Sequence, residues 1–204
     1  MTRRLTQRGK ERRQQLMDYA AARFAENGYH PTSVAEIVQG LGVGKGVFYW
    51  YFDSKEQLFV EILRDAQQSL RRAQQQAISD EDDPVRRIEL GLRASMRWSA
   101  EHRDVNQLIQ FAMTDERFLP AMRKGQEVAV ADAMRHISEG VERGLIRDSD
   151  PLMLAHAVLG VTTHLARVFI HQRHDPADEV ADAAVSFILE GLLVPDAVVG
   201  ARPG

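Results

Sequence analysis

The sequence predicts an all-α fold: an N-terminal helix-turn-helix unit of three helices joined to a larger C-terminal helical bundle, about nine helices in all. Three observations carry that expectation. Wherever a period is clear, apolar residues recur at i, i+3, i+4 and i+7, and no segment alternates as a half-buried strand does. Helix-start signals recur along the chain as Ser33-x-x-Glu36, Ser54-x-x-Gln57, Asp83-Pro84, Asp150-Pro151 and Asp175-Pro176. Glycines cluster in Gly40-Leu41-Gly42-Val43-Gly44, where a tight bend between two short helices needs them.

Leu16, Ala20 and Phe24 stand at four-residue spacing beside Met17 and Ala21, which gives a first helix from about Lys10 to Asn27. Asn27-Gly28 has the composition of a hairpin turn, but its flanks keep a helical period, so it reads as a C-cap. Ser33 opens a second helix with Val34, Ile37, Val38 and Leu41 on one face. Beyond the glycine bend a third helix runs from about Lys45 to Tyr51. Ser54 then starts a long one carrying Leu58, Ile62 and Leu63. Farther on, 84–102, 104–115, 118–143, 150–173 and 176–193 read as helices. In each Asp-Pro pair the carboxylate caps free N–H groups and proline takes the first helical position. The expected division is 1–53 for the helix-turn-helix domain, 54–195 for the bundle and 196–204 for a disordered tail.

Composition bounds the chemistry. The chain has 204 residues, 44% hydrophobic and 27% charged, enough for a well-buried core. It has no cysteine, which excludes disulfides, thiolate catalysis and Cys-ligated metal sites. The charged N-terminus leads into no apolar segment and no apolar run approaches ~20 residues, so the expectation is a cytoplasmic protein without a membrane partner. Net charge is −3, yet residues 1–55 hold nine cations against five anions, a net +4. That end either meets phosphate or is an ordinary solvated tail, and charge alone leaves both readings open.

A helix-turn-helix braces one helix across a DNA backbone and lays the next in the major groove, with flanking cations on phosphates. Here Arg4 and Arg8 lie in the basic arm, and Thr32 and Ser33 stand at the start of the bracing helix. On the third helix Lys45, Gly46, Val47 and Trp50 are expected to face outward. Lys45 can reach guanine O6/N7, Val47 a thymine methyl, and Gly46 permits close backbone approach. Five consecutive aromatics, Phe48-Tyr49-Trp50-Tyr51-Phe52, cannot all face inward, and Phe48 and Phe52 are the expected core members. The glycines superficially suggest a phosphate loop. Gln39 replaces its first glycine, Gly46 its hydroxyl residue, and a capped helix its strand, so no nucleotide-binding enzyme is read here.

Gly28-Tyr29, Thr32-Ser33-Val34, Ile37-Val38, Leu41-Gly42-Val43-Gly44, Gly46, Tyr49, Tyr51-Phe52, Lys55 and Leu58 align without gaps to the N-terminal pattern of the tetracycline-repressor (TetR) family. The resemblance covers about residues 10–60. Gly44 replaces the family's serine at the start of the recognition helix, and Leu41 its small residue before the turn. The resemblance implies phosphate contacts from Tyr49 and Lys55, and Thr32 has a hydroxyl for the DNA backbone.

It further implies a ligand-responsive transcriptional regulator, most simply a repressor, binding a palindromic operator on double-stranded DNA as a homodimer. A small apolar or amphipathic effector would spread the recognition helices beyond ~34–36 Å, with the helix starting at Ser54 as the lever. An activator, or a ligand-independent DNA binder of the same fold, is the alternative. Leu154, Val158, Val161 and Leu165 with Val185, Ile188 and Leu192 form stripes read as the dimer interface, or as facing the chain's own core. Trp98, His102, Leu108, Phe111, Met113, Met134 and His164 are the candidate pocket wall, each also explicable as ordinary core. His164, His171 and His174 have helical spacing, but nothing completes a metal site. Neither metal, cofactor nor catalytic residue is expected.

Overall fold

The structure, a computed structural model, describes residues 5–194. Within them the chain forms α1 (Gln7–Asn27), α2 (Val34–Gly40), α3 (Lys45–Tyr51), α4 (Lys55–Ala77), α5 (Pro84–Glu101), α6 (Arg103–Ala112), α7 (Leu119–Glu142), α8 (Pro151–Leu165) and α9 (Ala177–Leu192). No strand is present among the described residues, only an isolated bridge between Ile146 and Leu193. The expected tail and Arg4 lie outside the described residues.

The caps explain where helices begin. Thr6 Oγ1 accepts from the Gly9 amide, so α1 starts at Gln7, earlier than expected, and takes Arg8 out of the expected arm onto a helix. Ser33 caps α2 through the Glu36 amide at 3.1 Å, but the box is half made. The Glu36 carboxylate turns instead to Arg23, which donates from Nη2 and Nε at 2.9 and 3.1 Å. Asp83 and Asp150 cap α5 and α8 as their sequence predicts. Asp175 does not cap α9, whose N-cap is Pro176. The reason lies upstream, where α8 continues as a π-helical segment, Ala166–Gln172. Its wide turns bring the Asp175 amide onto the Phe169 carbonyl at 2.8 Å, and the Asp175 carboxylate sits 3.2 Å from Arg173.

Two compact units divide the chain at places the sequence does not mark. Among the described residues, one holds 5–67 together with Asp104–Arg123; the other holds Gln68–Arg103 and 124–194. The expected boundary at 53/54 is thus displaced into α4, because Leu58, Phe59, Ile62 and Leu63 share one core with Leu16, Phe24, Ile37, Phe48 and Phe52. Leu108, Ala112 and Phe118 join the same core. Phe24, Tyr29, Phe59, Phe111 and Phe118 pack there edge-on or tilted, with centroids about 4.5–6 Å apart, and one stacked pair, Tyr29 on Phe111 at 5.3 Å.

In the second unit α5, α8 and α9 pack around Ile88, Leu92, Ile137, Leu154, Val158 and Ile188. Gly140 is required where α7 meets the loop after it, since a Cβ there would lie 2.5 Å from Ile146 Cδ1. Pro151–Gln172 forms one 22-residue helical run whose most apolar 18-residue stretch has a mean hydropathy of 1.4 and is only 33% buried. By length and composition it passes for a membrane span, which the sequence reading did not foresee because Thr162, Thr163, His164 and Arg167 interrupt it.

Candidate functional site

The helix-turn-helix presents one polar and aromatic face to solvent. Gly42, at φ 64, supplies the left-handed residue that ends the bend, a backbone conformation L side chains seldom adopt. The Val43 amide donates to Val38 O at 2.9 Å and fixes the next helix against the last. Gly44 is the N-cap of α3 without a side-chain bond. From there Lys45 and Gly46 are exposed, Val47 is half-buried, and Phe48 is fully buried. Tyr49 and Trp50 are exposed at 55% and 51%, large rings left in water beside a buried Phe52. A surface that leaves two such rings solvated is poised for a partner. Arg8 and Lys10 add exposed cations on α1. Arg13 has a structural task, bonded to Glu61 at 2.7 Å with its guanidinium 5.1 Å from the Phe52 ring.

Two expected phosphate contacts are placed otherwise. Thr32 is fully buried, and its hydroxyl donates to Gly28 O at 2.9 Å, closing the loop between α1 and α2. Ser33 is exposed, but its oxygen is spent on the helix cap. Lys55 Nζ donates to Tyr29 O and Thr32 O at 2.9 Å each and to His30 O at 3.4 Å, and sits 4.4 Å from the Tyr29 ring centroid. An ammonium has three donors, and all three face main-chain carbonyls. Burial pushes its pKa below the usual lysine range, with Glu56 opposing and Arg117 adding to that shift. Lys55 therefore clamps the loop that orients α2. Arg117 approaches the Tyr29 ring at 5.3 Å and is held by Asp115 through bonds of 2.6 and 2.9 Å. Those bonds hold the Asp115 carboxyl down at about 2.

Of the seven residues expected to wall a pocket, none lines the cavity enclosed by α4, α5, α7 and α8, and His164 lines only an open depression with Gly160, Val161, Leu165 and Phe187. Trp98 is buried, stacked on His102 at 4.2 Å, and donates to Ser69 Oγ at 3.1 Å. Leu108 and Phe111 belong to the core of the first unit. Met113 is 54% exposed, Met134 packs against the second core, and His164 is exposed beside Arg167. That cavity, about 130 Å³, lies between the C-terminal turns of α4 and helices α5, α7 and α8. Its floor is Ile88, Leu92, Ile137, Val158 and Leu159; Arg71, Arg87, Asp132, Arg135 and His136 stand at its polar side. The void exists because Gly91, Ser95, Ala129, Ala133 and Thr162 are small. Selecting large apolar residues from the sequence looks for the wrong sign; small residues four apart on α5 and on α7 are the available signal. His171 and His174 lie apart from it, the first 2.7 Å from Ser99 Oγ and the second bonded to Arg103.

The stripes expected at a dimer interface are also relocated. Leu154, Val158, Val185, Ile188 and Leu192 are buried in the chain's own core, and Val161 and Leu165 are half-buried. The most apolar stripe of each helix is taken by the intrachain core. Outward on these helices are Leu152 at 47% and Met153 at 66%, with Ala157, Gly160, His164 and, on α9, Phe187 at 67% exposure.

Residues 16–62 match the family model for bacterial regulatory proteins of the tetR family. Over 189 residues the chain is 29% identical to the HTH-type transcriptional repressor KstR2 of Rhodococcus jostii, covering 90% of this chain and 92% of that protein. It is 27% identical over 193 residues to the HTH-type transcriptional regulator YdgC of Bacillus subtilis, covering 91% and 95% of the two chains. Among solved structures, the TetR-family transcriptional regulator PfmR of Thermus thermophilus superposes with a TM-score of 0.71 at 28% identity, over 86% of this chain and 97% of that one. The helix-turn-helix and its exposed aromatic face thus coincide with a tetR-family DNA-binding domain over residues 16–62, and over most of its length the chain is similar to proteins named as bacterial transcriptional regulators rather than enzymes.

Proposed function

We propose that this regulator acts in the cytoplasm as a homodimer that binds a palindromic operator and is released by a small effector, most simply as a repressor. The observation that carries the reading is α3: Lys45, Gly46, Tyr49 and Trp50 lie exposed on a helix whose buried face, Phe48 with Phe52, anchors it to α1 and α4. Lys45 suits a guanine edge, and the two rings suit sugar, methyl and phosphate contacts. Arg8 and Lys10 supply backbone cations.

Two copies are needed to place two such helices one DNA turn apart. The outward face of α8 and α9 around Gly160 and Phe187 supports that role, since only a third of the most apolar stretch of that long helix is buried and Met153, Ala157 and Gly160 along it are exposed. A second copy covers such a face as a membrane would, and a DNA-binding reading of the N-terminal unit favours the second copy. The repressor sense is supported by relatives bearing that name, KstR2 among them. The effector reading is supported by the cavity beside Arg71, on the same unbroken helix as Lys55.

Selection of duplex DNA from a random pool by the full-length protein, with the mass of the selected complex measured, tests this. A palindrome bound by two or more pairs of chains, or by one pair, supports it. An absence of enrichment, with only weak salt-dependent binding, refutes it.

A further inference from the structure

The cavity in the second unit has a chemical polarity that narrows what it takes. Its lining is largely aliphatic, from Ile88, Leu92, Ile137, Val158 and Leu159, most of them buried, and the hydroxyl of the one buried polar lining residue, Thr162, is already spent on Val158 O at 2.7 Å. Its exposed rim carries Arg71 and Arg135, which marks the side open to solvent. A ligand entering there meets guanidinium first and aliphatic carbon last.

The charges do not balance. Arg71, Arg87 and Arg135 line the cavity against the single carboxylate of Asp132. Arg71 grips Asp132 with Nε and Nη2 at 2.6 and 3.0 Å, and Arg135 donates to the same carboxylate at 2.8 Å. Among the described residues Asp132 is the only carboxylate bonded to either, so two guanidiniums share one anion. Arg87 is bonded to Glu139 at 2.9 Å. His136 lies among these groups with Nδ1 enclosed and without a hydrogen-bond partner. Burial first, then Arg87 and Arg135, hold its pKa below the usual value, outweighing Glu139 and Asp132. The site is thus positive without help from histidine. A cationic ligand finds no free anion there, since Asp132 already serves two arginines.

Size sets the other limit. At about 130 Å³ the cavity is slightly smaller than an apolar cavity of roughly 150 Å³ that admits benzene. Gly91 sharpens the point. It sits in mid-helix on the cavity wall, and a Cβ added there meets nothing within 4 Å. Glycine in mid-helix is disfavoured relative to alanine, and the space beside it is the space a ligand body would fill.

Resting on the reading of this chain as an effector-controlled regulator, we propose that the cavity binds a small monocarboxylate. Its body is one aromatic ring or a branched alkyl group of similar size, seated against Leu92, Ile137 and Val158. Its carboxylate lies at the rim and supplies the second anion for Arg71 and Arg135. Planar carboxylates and guanidinium forks match pairwise, as Arg71 and Asp132 already do. Because Arg71 belongs to α4 and Asp132 and Arg135 to α7, a new carboxylate among them changes how those two helices are tied.

The test uses the whole chain and calorimetric titration with benzoate, 4-methylbenzoate, phenylacetate and 4-methylpentanoate. The amide and amine of the same shapes serve as neutral and cationic controls. At least one carboxylate is expected to bind at one site per chain, about tenfold or more tighter than its amide, the loss expected for a charge-assisted hydrogen bond. Arg135→Gln should weaken that carboxylate by a similar factor and leave the amide unchanged. Gly91→Leu should keep or raise thermal stability and abolish binding. Equal binding of amide and acid, tighter binding of the amine, or binding that survives Gly91→Leu overturns the proposal, as does binding by none of the acids. Operator affinity read in parallel separates the two layers. If an amide or amine occupies the cavity and lowers operator affinity, the effector reading stands and the carboxylate assignment falls. If an acid binds as expected but leaves operator affinity untouched, the assignment stands and the effector reading falls.

Discussion

Replacing Lys55 with methionine separates two roles that the same residue can play at a DNA-binding unit. Methionine keeps an unbranched stem of similar length and removes the ammonium. In the structure that ammonium donates to Tyr29 O, Thr32 O and, more weakly, His30 O, and lies over the Tyr29 ring. Hydrogen bonds to a charged group contribute about 1.5–3 kcal/mol net, and a partly desolvated cation–π contact adds about 0.5–2 kcal/mol. The clamp is only partly buried, and desolvation, which lowers its pKa, offsets some of this. The expected loss is therefore about 2–3 kcal/mol, or roughly 4–12 °C in melting temperature for a chain of this length. Urea unfolding followed by helical circular dichroism gives the first quantity, and operator affinity across a salt series gives the second. Lys55→Met should move the unfolding midpoint by that amount and leave the salt slope unchanged. A midpoint shifted by under about 0.5 kcal/mol, with a slope lower by about one ion, would refute the clamp and restore a direct phosphate contact.

Thr32→Val should cost about 1 kcal/mol through the lost bond to Gly28 O and leave DNA affinity of the folded protein unchanged; an affinity loss without a stability loss counts against the buried role. Phe187→Asp should give folded monomers with poor operator affinity by light scattering and gel shift, whereas Val158→Glu, in the core, should fail to fold stably; a Phe187→Asp dimer sinks the proposed interface. Gly40→Ala should destabilise by about 1–3 kcal/mol, because the new Cβ would lie 1.8 Å from the Tyr19 hydroxyl oxygen; an unchanged melt would show that Tyr19 swings away freely. His171 is held below its ordinary pKa of 6.5 by burial, then by Arg103 and His174. Its contribution is therefore complete above that value and is lost as pH falls below it, so stability should decline on acidification and decline less in His171→Gln. Parallel curves for the two proteins would exclude His171 as the source.

Much of this molecule could be read from its sequence because the governing interactions are local. The period of Leu16, Ala20 and Phe24, the cap at Ser33, the bend at Gly42 and the Asp-Pro starts of α5 and α8 each depend on residues within one or two turns. The order of helices and the exposed face of α3 follow from them, since five adjacent aromatics cannot share one side of a helix. Tertiary packing decided everything that involves choosing among partners. It set Glu36 on Arg23 rather than on its own cap, turned the Thr32 hydroxyl and the Lys55 ammonium inward, and drew α6 and the loop after it into the core of α1–α3. It also gave the most apolar stripes of α8 and α9 to the intrachain core and left Gly160 and Phe187 outside. The cavity was least legible of all. A void is made by residues too small to fill the space between helices, and how much space there is depends on side chains far apart in sequence, which spacing along the chain cannot encode.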